Sequence, residues 1–282
     1  MEALNKYPSQ NLKPAESDYQ MGGLWYCGKC KTPREQNIEH VGCVPALCKC
    51  KLAEKERAEQ KAAKEKTERA RKTAFGCDRS KRFNFTFAND DRRHADVSDK
   101  LKKYCDNFKE HKEKGEGIII QSPNNGNGKT FLSCAVANEL IERGHRVLVT
   151  DFLTLRDRLF NPSAFSIPPA CNFVTRVDVL NWLCSYDLIV IDDLGTEQST
   201  EFMLEVEYRV IDALTDALVP IILTTNYTLA ELLEPNDVDK RRVFDRIKGN
   251  CAIISIKDNR SRRIERCSDL TKKIAGSAQH GS

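Results

Sequence analysis

The stretch from Ser122 to Thr130 combines a lysine, a threonine and two glycines at the spacing of a phosphate-binding loop. Gly126 and Gly128 lack a Cβ atom, so the backbone can wrap closely around a phosphate with its N–H groups pointing inward. A helix that begins near Lys129 would add the positive end of its dipole to the same place. Lys129 would reach the β- and γ-phosphates of a nucleotide, and Thr130 would offer its hydroxyl to Mg²⁺.

One position departs from the full pattern G-x-x-x-x-G-K-[ST], because Pro123 takes the place of the first glycine. Proline has a fixed φ and no N–H to donate. Most N–H groups of the cradle are therefore expected beyond Pro123, and the substitution is expected to tune nucleotide affinity without abolishing it. The expected cradle consists of Asn125, Gly126, Asn127, Gly128, Lys129 and Thr130.

Two carboxylates follow an uninterrupted apolar run at residues 188–191, namely Asp192 and Asp193. A fully apolar strand is typical of a parallel sheet that is covered on both faces, and ligands bind at the carboxyl ends of such strands. Asp192 is therefore expected to hold Mg²⁺, directly or through water, and Asp193 to orient or deprotonate the attacking water. Asn226 follows a second apolar run and is expected to hydrogen-bond this water or the γ-phosphate.

Five of the twelve cysteines lie between residues 27 and 50, which favours a metal site. The C-x-x-C pair contains a glycine that permits the tight turn, and a second group follows at residues 43, 48 and 50. Four thiolates close a tetrahedral Zn²⁺ site. Cys43 is the alternative for either of the last two ligands, and His40 could compete as a nitrogen ligand. The predicted zinc ligands are Cys27, Cys30, Cys48 and Cys50.

The composition fits a protein of a reducing cytoplasm. The sequence has 282 residues, of which 40% are hydrophobic, and its formal net charge is +4, which allows an acidic partner such as nucleic acid without demanding one. No apolar stretch follows the first basic residues, so a secretory signal is not expected. No apolar run reaches transmembrane length, so no membrane partner is expected either.

The elements that position these residues predict an α/β fold with a parallel sheet and helices on both faces. The apolar run at 117–120 is the strand before the glycine-rich loop, and the helix after it is expected to end at Gly144. Further strands are expected at 147–149, 188–191, 220–226 and 251–256. The alternation of Phe83, Phe85 and Phe87 suggests a short strand or an extended segment on the core; a place in an adenine pocket is the alternative.

The sequence also predicts four segments. Residues 1–50 form an N-terminal zinc module that would bind a partner, and residues 51–74 form a charged linker helix that is polar nearly all round. Two interpretations of this linker stay open: a solvated connecting helix, or a basic helix that docks on DNA or on a protein partner. Residues 75–116 form an approach segment that packs on the core, and residues 117–282 form the nucleotide-binding domain.

Together these parts resemble the AAA+ ATPases, specifically the DnaC/DnaI helicase loaders and the related IstB transposition helpers. The likeness covers about residues 117–260, and the N-terminal C-x-x-C segment is similar to zinc modules in many such proteins. The pair Asp192-Asp193 is quite specific, since most AAA+ relatives have Asp-Glu there. The motifs are Gly126–Thr130, Asp187–Gly195, Thr224–Asn226, Arg242–Ile247 and Asp258–Arg260.

The resemblance implies roles for individual residues. Lys129 and Thr130 belong to Walker A, Asp192 and Asp193 to Walker B, and Asn226 to sensor 1. Arg246 would be the arginine finger that acts on ATP held by the next subunit, and Arg260 the sensor 2 arginine. The helix with Arg156 and Arg158 lies where the family has an insertion that lines a path for single-stranded DNA. The separate helical lid of most AAA+ proteins is expected to be absent.

The implied function is an ATPase that loads a replicative DnaB-type helicase onto single-stranded DNA. ATP and Mg²⁺ would control assembly and release through contacts between copies at the ATP site, and zinc would stabilise the N-terminal module. Two alternatives stay open at this point. One is a transposition helper that delivers a transposase to DNA, and the other is a zinc-bearing adaptor that binds nucleotide without turnover.

Overall fold

The computed structural model describes residues 14–162, 175–195, 200–235, 238–257 and 260–277. The chain divides into two units, Met1–Lys66 and Thr67–Ser282. The proline-rich loop expected at 161–172 lies almost entirely outside the described residues, and so do Asp258 and Asn259 of one motif.

The first unit contains two antiparallel hairpins, β1 with β2 and β3 with β4. The first hairpin turns at two glycines of positive φ, Gly22 and Gly23, as a two-residue turn requires. The long helix α1 starts here and continues into the second unit, so it contains the predicted linker helix. The elements are β1 (Tyr19–Met21), β2 (Leu24–Tyr26), β3 (Glu35–Ile38), β4 (Gly42–Pro45) and α1 (Lys49–Phe75).

The second unit is built on a five-stranded parallel sheet with the order β6-β7-β8-β5-β9. Strand β8 thus lies between β5, which precedes the glycine-rich loop, and β7, which carries the two aspartates. This order brings the carboxyl ends of the three strands side by side at one edge of the sheet. The strands are β5 (Gly117–Gln121), β6 (Val147–Thr150), β7 (Leu188–Leu194), β8 (Ile221–Thr225) and β9 (Cys251–Ser255).

Helices cover both faces of this sheet, as the sequence predicts. Alternate residues of one strand belong to different cores: Ile119 packs with α5, α6, α7 and α9, whereas Ile118 and Ile120 pack with α2 and α4. This is why the strands read as continuous apolar runs. After β9, residues 260–277 contain a single helix and no separate lid. The helices are α2 (Ala95–Asp106), α3 (Phe108–Lys114), α4 (Lys129–Glu142), α5 (Phe152–Phe160), α6 (Arg176–Leu183), α7 (Glu201–Asp216), α8 (Leu229–Leu233), α9 (Val238–Asn250) and α10 (Arg262–Ser277).

The approach segment differs from the strand that its alternating phenylalanines suggest. The part of this segment that carries the phenylalanines forms two 3₁₀ helices, Cys77–Asn84 and Phe87–Asn89. Phe83, Phe85 and Phe87 lie half-buried against the core that contains α4. The side chain of Asn138 on α4 donates to the carbonyls of Arg82 and Phe85, at 2.9 and 2.8 Å, and so satisfies backbone groups that a ladder partner would satisfy in a strand.

Across the described ranges, no helix is both long enough and apolar enough to span a lipid bilayer.

Candidate nucleotide site and metal centre

The glycine-rich loop connects the buried end of β5 to the first turn of α4. Gly126 and Gly128 have φ values of 78° and 105°, a region that residues with a Cβ atom rarely adopt. A Cβ atom on Gly126 would clash with the hydroxyl of Ser261, and one on Gly128 with the guanidinium of Arg262. The loop therefore needs glycine at both positions, because of its own conformation and because the start of α10 packs directly on it.

Lys129 lies beneath this loop and is only 5% exposed. Its ammonium group donates to the carbonyls of Ser122 and Asn124, at 3.2 and 2.9 Å. Burial lowers the pKa of Lys129, and the nearby charges of Asp193 and Asp192 partly offset that effect. The lysine is thus a desolvated cation held against the loop, in the place where a phosphate would meet it.

The carboxylate of Asp192 joins β7 to the loop and to β8. Its Oδ1 atom accepts from the hydroxyl of Thr130 at 2.9 Å and from that of Thr224 at 2.7 Å. Its Oδ2 atom lies 3.0 Å from a guanidinium nitrogen of Arg82. Asp192 is 4% exposed, so three partners compensate the burial of its charge.

Asp193 sits at an irregularity of the β7–β8 pairing, where the register shifts between Ile191 and Leu194. Its φ of 60° is unusual for a residue with a side chain, and such strain concentrates at functional sites. Its backbone N–H donates to the hydroxyl of Thr224 at 2.8 Å. Burial and the charge of Asp192 raise the pKa of the Asp193 carboxyl. The bulge thus turns this carboxylate into the cleft.

A cleft of about 690 Å³ opens above the loop, within the size range of small-molecule sites. Seven of its described lining residues carry a positive charge and one carries a carboxylate, so the cleft suits a phosphorylated ligand. The lining of the loop starts at Asn125, and Pro123 is exposed outside it. The cleft is lined by Arg79, Ser80, Lys81, Arg82, Phe85, Asn125, Gly126, Asn127, Gly128, Lys129, Thr130, Phe131, Asp193, Arg262, Arg263 and Arg266.

Besides Asp192, which contacts the loop through Thr130, three of the expected site residues lie outside the lining of this cleft. Asn226 follows β8, and its amide oxygen is buried without a hydrogen-bond partner among the described residues. Arg246 pairs with Asp212 and Asp216 of α7, at 2.9 and 3.9 Å. Arg260 is exposed just before α10. Within one chain, the structure therefore brings the loop and the aspartates together but not these three side chains.

The two arginines of α5 are also engaged within the chain. Arg158 lies over the ring of Trp182, with 5.0 Å between the guanidinium carbon and the ring centroid. Arg156 pairs with its neighbour Asp157 at 2.6 Å. Neither contact tests the expected path for single-stranded DNA, which stays a prediction.

Five arginines that line the cleft are not predicted as site residues from the sequence. Arg262, Arg263 and Arg266 belong to a visible run of basic residues, but only the phase of α10 shows that they share the side facing the loop. Arg79 and Arg82 come from the 3₁₀ segment and carry no motif. Arg82 could have been found only from the fold, because 110 positions separate it from Asp192 along the chain.

The cysteine cluster of the first unit brings together the four predicted zinc ligands. The sulfur atoms of Cys27, Cys30, Cys48 and Cys50 all lie within 4.8 Å of one another. The first pair follows β2, and the second pair lies at the start of α1. A Cβ atom on Gly28 would collide with the backbone of Ser17, so the knuckle between the first two ligands requires glycine. Four clustered thiols are the donor set that structural zinc prefers.

The protonation of these thiols also fits a cation. The hydroxyl of Thr32 lowers the pKa of Cys30 to about 5, whereas the neighbouring thiols raise the pKa of Cys50 to about 12. Zinc binds cysteine as the thiolate, so its binding here would release the proton that Cys50 holds. Cys43 on β4 lies outside the cluster, and burial together with Glu35 raises the pKa of its thiol. His40 is exposed in a turn and is likewise outside the cluster.

A buried strand, a glycine-rich loop, a helix that starts with Lys-Thr, and an aspartate bonded to that threonine define a P-loop nucleotide-binding protein. In the sheet, strand β8 separates β5, which precedes the loop, from β7, which carries the aspartates. The sequence model of the IstB-like ATP binding protein family matches residues 50–268. This is well over half of the chain, and the chain belongs to that family.

Curated relatives and a solved structure agree with this assignment. The replicative helicase loader DnaC of Escherichia coli K12 is 28% identical over 133 residues, which are 46% of this chain and 49% of the relative. The loader DnaC of Buchnera aphidicola is 31% identical over 120 residues, 42% of this chain and 45% of the relative. The chain thus spans about half the length of the curated relatives it matches. The crystal structure of the DnaC helicase loader matches with a TM-score of 0.50 and 20% identity, over 63% of this chain and 99% of that one. This likeness concerns the fold, which is the expected AAA+ fold.

Proposed function

We propose that this protein is an ATPase that loads a replicative helicase onto single-stranded DNA. The observation that carries the nucleotide part is the hydrogen bond from Thr130 to Asp192, which joins the loop and the β7 carboxylate beneath a cationic cleft. Family membership supports ATP as the ligand. The loader part is supported by the names of the relatives, which are replicative helicase loaders.

The residues present fit a nucleotide with Mg²⁺. The Thr130 hydroxyl and the Asp192 carboxylate are adjacent oxygen donors of the kind that Mg²⁺ prefers, and they would hold the ion beside the bound phosphates. Lys129 and the backbone N–H groups of Asn125 to Thr130 would bind the phosphates. Asp193, with its raised pKa and its place in the cleft, would orient the attacking water or take its proton.

The remaining roles depend on a second copy of the chain or on movement of side chains. Arg246 would act as the arginine finger for ATP on a neighbouring subunit, which fits its position outside its own cleft. Asn226, whose amide oxygen has no hydrogen-bond partner in the described part of the chain, would hydrogen-bond the water from the end of β8. Arg260 is proposed as the sensor 2 arginine. Single-stranded DNA would follow the basic residues of α5.

The first unit would bind the partner. We propose that residues 1–50 form a zinc-stabilised module and that residues 51–74 link it to the ATPase domain, which would comprise residues 117–282 behind the approach segment 75–116. The four cysteines fit zinc because their sulfur atoms lie close enough for one tetrahedral ion. The helicase is the proposed partner of this module.

One experiment separates this function from its alternatives. The full chain is assayed for ATP hydrolysis with and without single-stranded DNA, and for co-purification with a hexameric replicative helicase or a transposase. We expect hydrolysis that Lys129→Ala abolishes and that Lys109→Ala, a change of an exposed lysine on α3, leaves intact. Capture of the transposase instead of the helicase would favour the transposition helper, which the family match also supports. Nucleotide binding without turnover in the presence of DNA and partner would favour the adaptor.

A further inference from the structure

The side chain of Arg82 is the cationic partner of the central aspartate of the site. Its Nη2 atom lies 3.0 Å from Oδ2 of Asp192, the oxygen that the hydroxyls of Thr130 and Thr224 leave open. The two hydroxyls are neutral and both bind Oδ1. Arg82 therefore supplies the positive charge that this nearly buried carboxylate requires.

This position conflicts with a divalent ion on the same group. Mg²⁺ binds a carboxylate oxygen at about 2.0–2.1 Å and demands nearly octahedral geometry. A guanidinium and a divalent cation on one carboxylate repel each other, and the repulsion is strong where water is excluded. If Asp192 is the magnesium ligand, then Arg82 and Mg²⁺ are alternatives at this carboxylate.

Arg82 has a second place to go. Its Nη1 atom is buried and has no hydrogen-bond partner among the described residues, so the pairing with Asp192 leaves one donor unsatisfied. The residue also lines the cleft beside Lys129 and Thr130. Its carbonyl is held by Asn138 of α4, so the side chain can turn into the cleft while the backbone stays in place. A phosphate there would accept from both guanidinium nitrogens.

We propose that Arg82 competes with Mg²⁺ for Asp192 and moves onto the phosphates of the nucleotide when Mg²⁺ takes the carboxylate. Arg82 is then a positioning residue that sets the magnesium concentration at which the site closes. This inference rests on the proposed function, because it needs Asp192 to be the magnesium ligand of a nucleotide site.

The test is a magnesium titration of nucleotide binding, followed by the fluorescence of a labelled ATP analogue. Arg82→Gln removes the competitor, so the half-saturating Mg²⁺ concentration should fall about fivefold or more, the lower end of typical couplings between ligands. At saturating Mg²⁺ the same variant should bind the analogue more weakly than the wild type, because it lacks the phosphate contact. A residue that only stabilises the fold would not shift the two quantities in this pattern.

Arg79→Gln is the matched control. Arg79 lines the same cleft and carries the same charge, but it pairs with Asp151 instead of Asp192. We expect it to change the half-saturating Mg²⁺ concentration less than about twofold, since general loss of positive charge is not linked to the carboxylate. Thermal unfolding shows whether each variant is folded.

The outcomes that overturn the inference are specific. An unchanged or higher magnesium requirement in Arg82→Gln overturns it, and so does an equal fall in Arg79→Gln. In these cases the wild type still binds nucleotide and the proposed function stands. If the wild type binds no nucleotide at any Mg²⁺ concentration, the proposed function fails and the inference fails with it.

Discussion

The hydroxyl of Thr224 holds both aspartates of the site. The variant Thr224→Val, which lacks this hydroxyl, is the most direct test of how the two aspartates are positioned. Thr224 is fully buried at the end of β8. It donates to Oδ1 of Asp192 at 2.7 Å and accepts from the backbone N–H of Asp193 at 2.8 Å. Valine has nearly the same shape but can do neither. The change therefore removes two hydrogen bonds and little packing.

The expected cost follows from these two bonds. An unpaired, partly buried N–H costs about 1–3 kcal/mol, and a hydrogen bond to a charged group contributes about 1.5–3 kcal/mol. Asp192 keeps its bonds to Thr130 and Arg82, so we expect the lower part of each range and a total of about 3 kcal/mol. Loss of the bond that fixes Asp193 should also lower turnover about 10- to 100-fold, as misplacement of a catalytic group does.

The assay measures unfolding of the second unit and ATP hydrolysis in the same variants. The two tryptophans lie in different units, so in a Trp25→Phe background the fluorescence of Trp182 reports urea unfolding of the ATPase unit. Thr224→Ser keeps the hydroxyl and should lose only about 1 kcal/mol for the missing methyl group. Turnover is measured at temperatures where every variant is folded.

Thr225→Val is the matched control for this prediction. Thr225 is equally buried and also makes two hydrogen bonds, to the carbonyl of Leu194 at 2.8 Å and from the N–H of Tyr227 at 3.1 Å. Its bonds do not involve the aspartates. We expect about 2 kcal/mol of destabilisation with smaller loss of turnover. The reasoning is refuted if Thr224→Val is no less stable than Thr224→Ser, or if both valine variants lose turnover equally.

Two further predictions concern the metal centre and the pH dependence of stability. Cys48→Ser should lower the zinc content of the purified protein, measured by metal analysis, well below one ion per chain. Cys43→Ser should leave the zinc content unchanged, because Cys43 lies outside the cluster. Equal loss of zinc in both variants would contradict the predicted set of ligands. Burial and Asp192 raise the pKa of Asp193 above its ordinary value of 3.8, so its ionised form opposes folding above that pH, and Asp193→Asn should unfold at higher urea concentration at pH 7. The gain should fall as the pH drops towards 3.8 and vanish below about pH 3, where the carboxyl is protonated in both states. A gain of the same size at pH 7 and below pH 3 would instead come from relief of the backbone at φ 60°.

Much of the nucleotide site could be predicted because its signals are local. A glycine needed for positive φ, an apolar run without polar interruption and a lysine after the second glycine are each fixed by their neighbours in the chain. The partnership of Thr130 with Asp192 also follows from one general rule, since the carboxyl ends of parallel strands meet at one edge. The four cysteines were equally accessible, because ligand spacing and chemistry are both written in the sequence.

The approach segment could not be predicted in the same way. Its alternating phenylalanines have the period of a strand, but Phe83 lies in one 3₁₀ helix and Phe87 begins the next. The carbonyls of Arg82 and Phe85 accept from the side chain of Asn138, which lies more than fifty positions further along the chain. Such tertiary hydrogen bonds override a local period and leave no trace in it. The arginines that this segment places at the cleft were therefore missed together with its conformation.

The arginines of α10 show how helix phase decides which member of a basic run reaches a site. Arg260 precedes the helix, whereas Arg262 and Arg266 have the i, i+4 spacing that places them on one side, and Arg263 lines the cleft from the adjacent position. Arg262 bonds both carboxylate oxygens of Asp91, at 2.9 and 2.8 Å, and also the carbonyl of Asn127. These bonds hold the pKa of Asp91 well below its usual range. The guanidinium of Arg262 thus joins the approach segment to the loop. Of the three cleft arginines on α10, the two that follow Arg262 are therefore the ones that we expect to contact a phosphate.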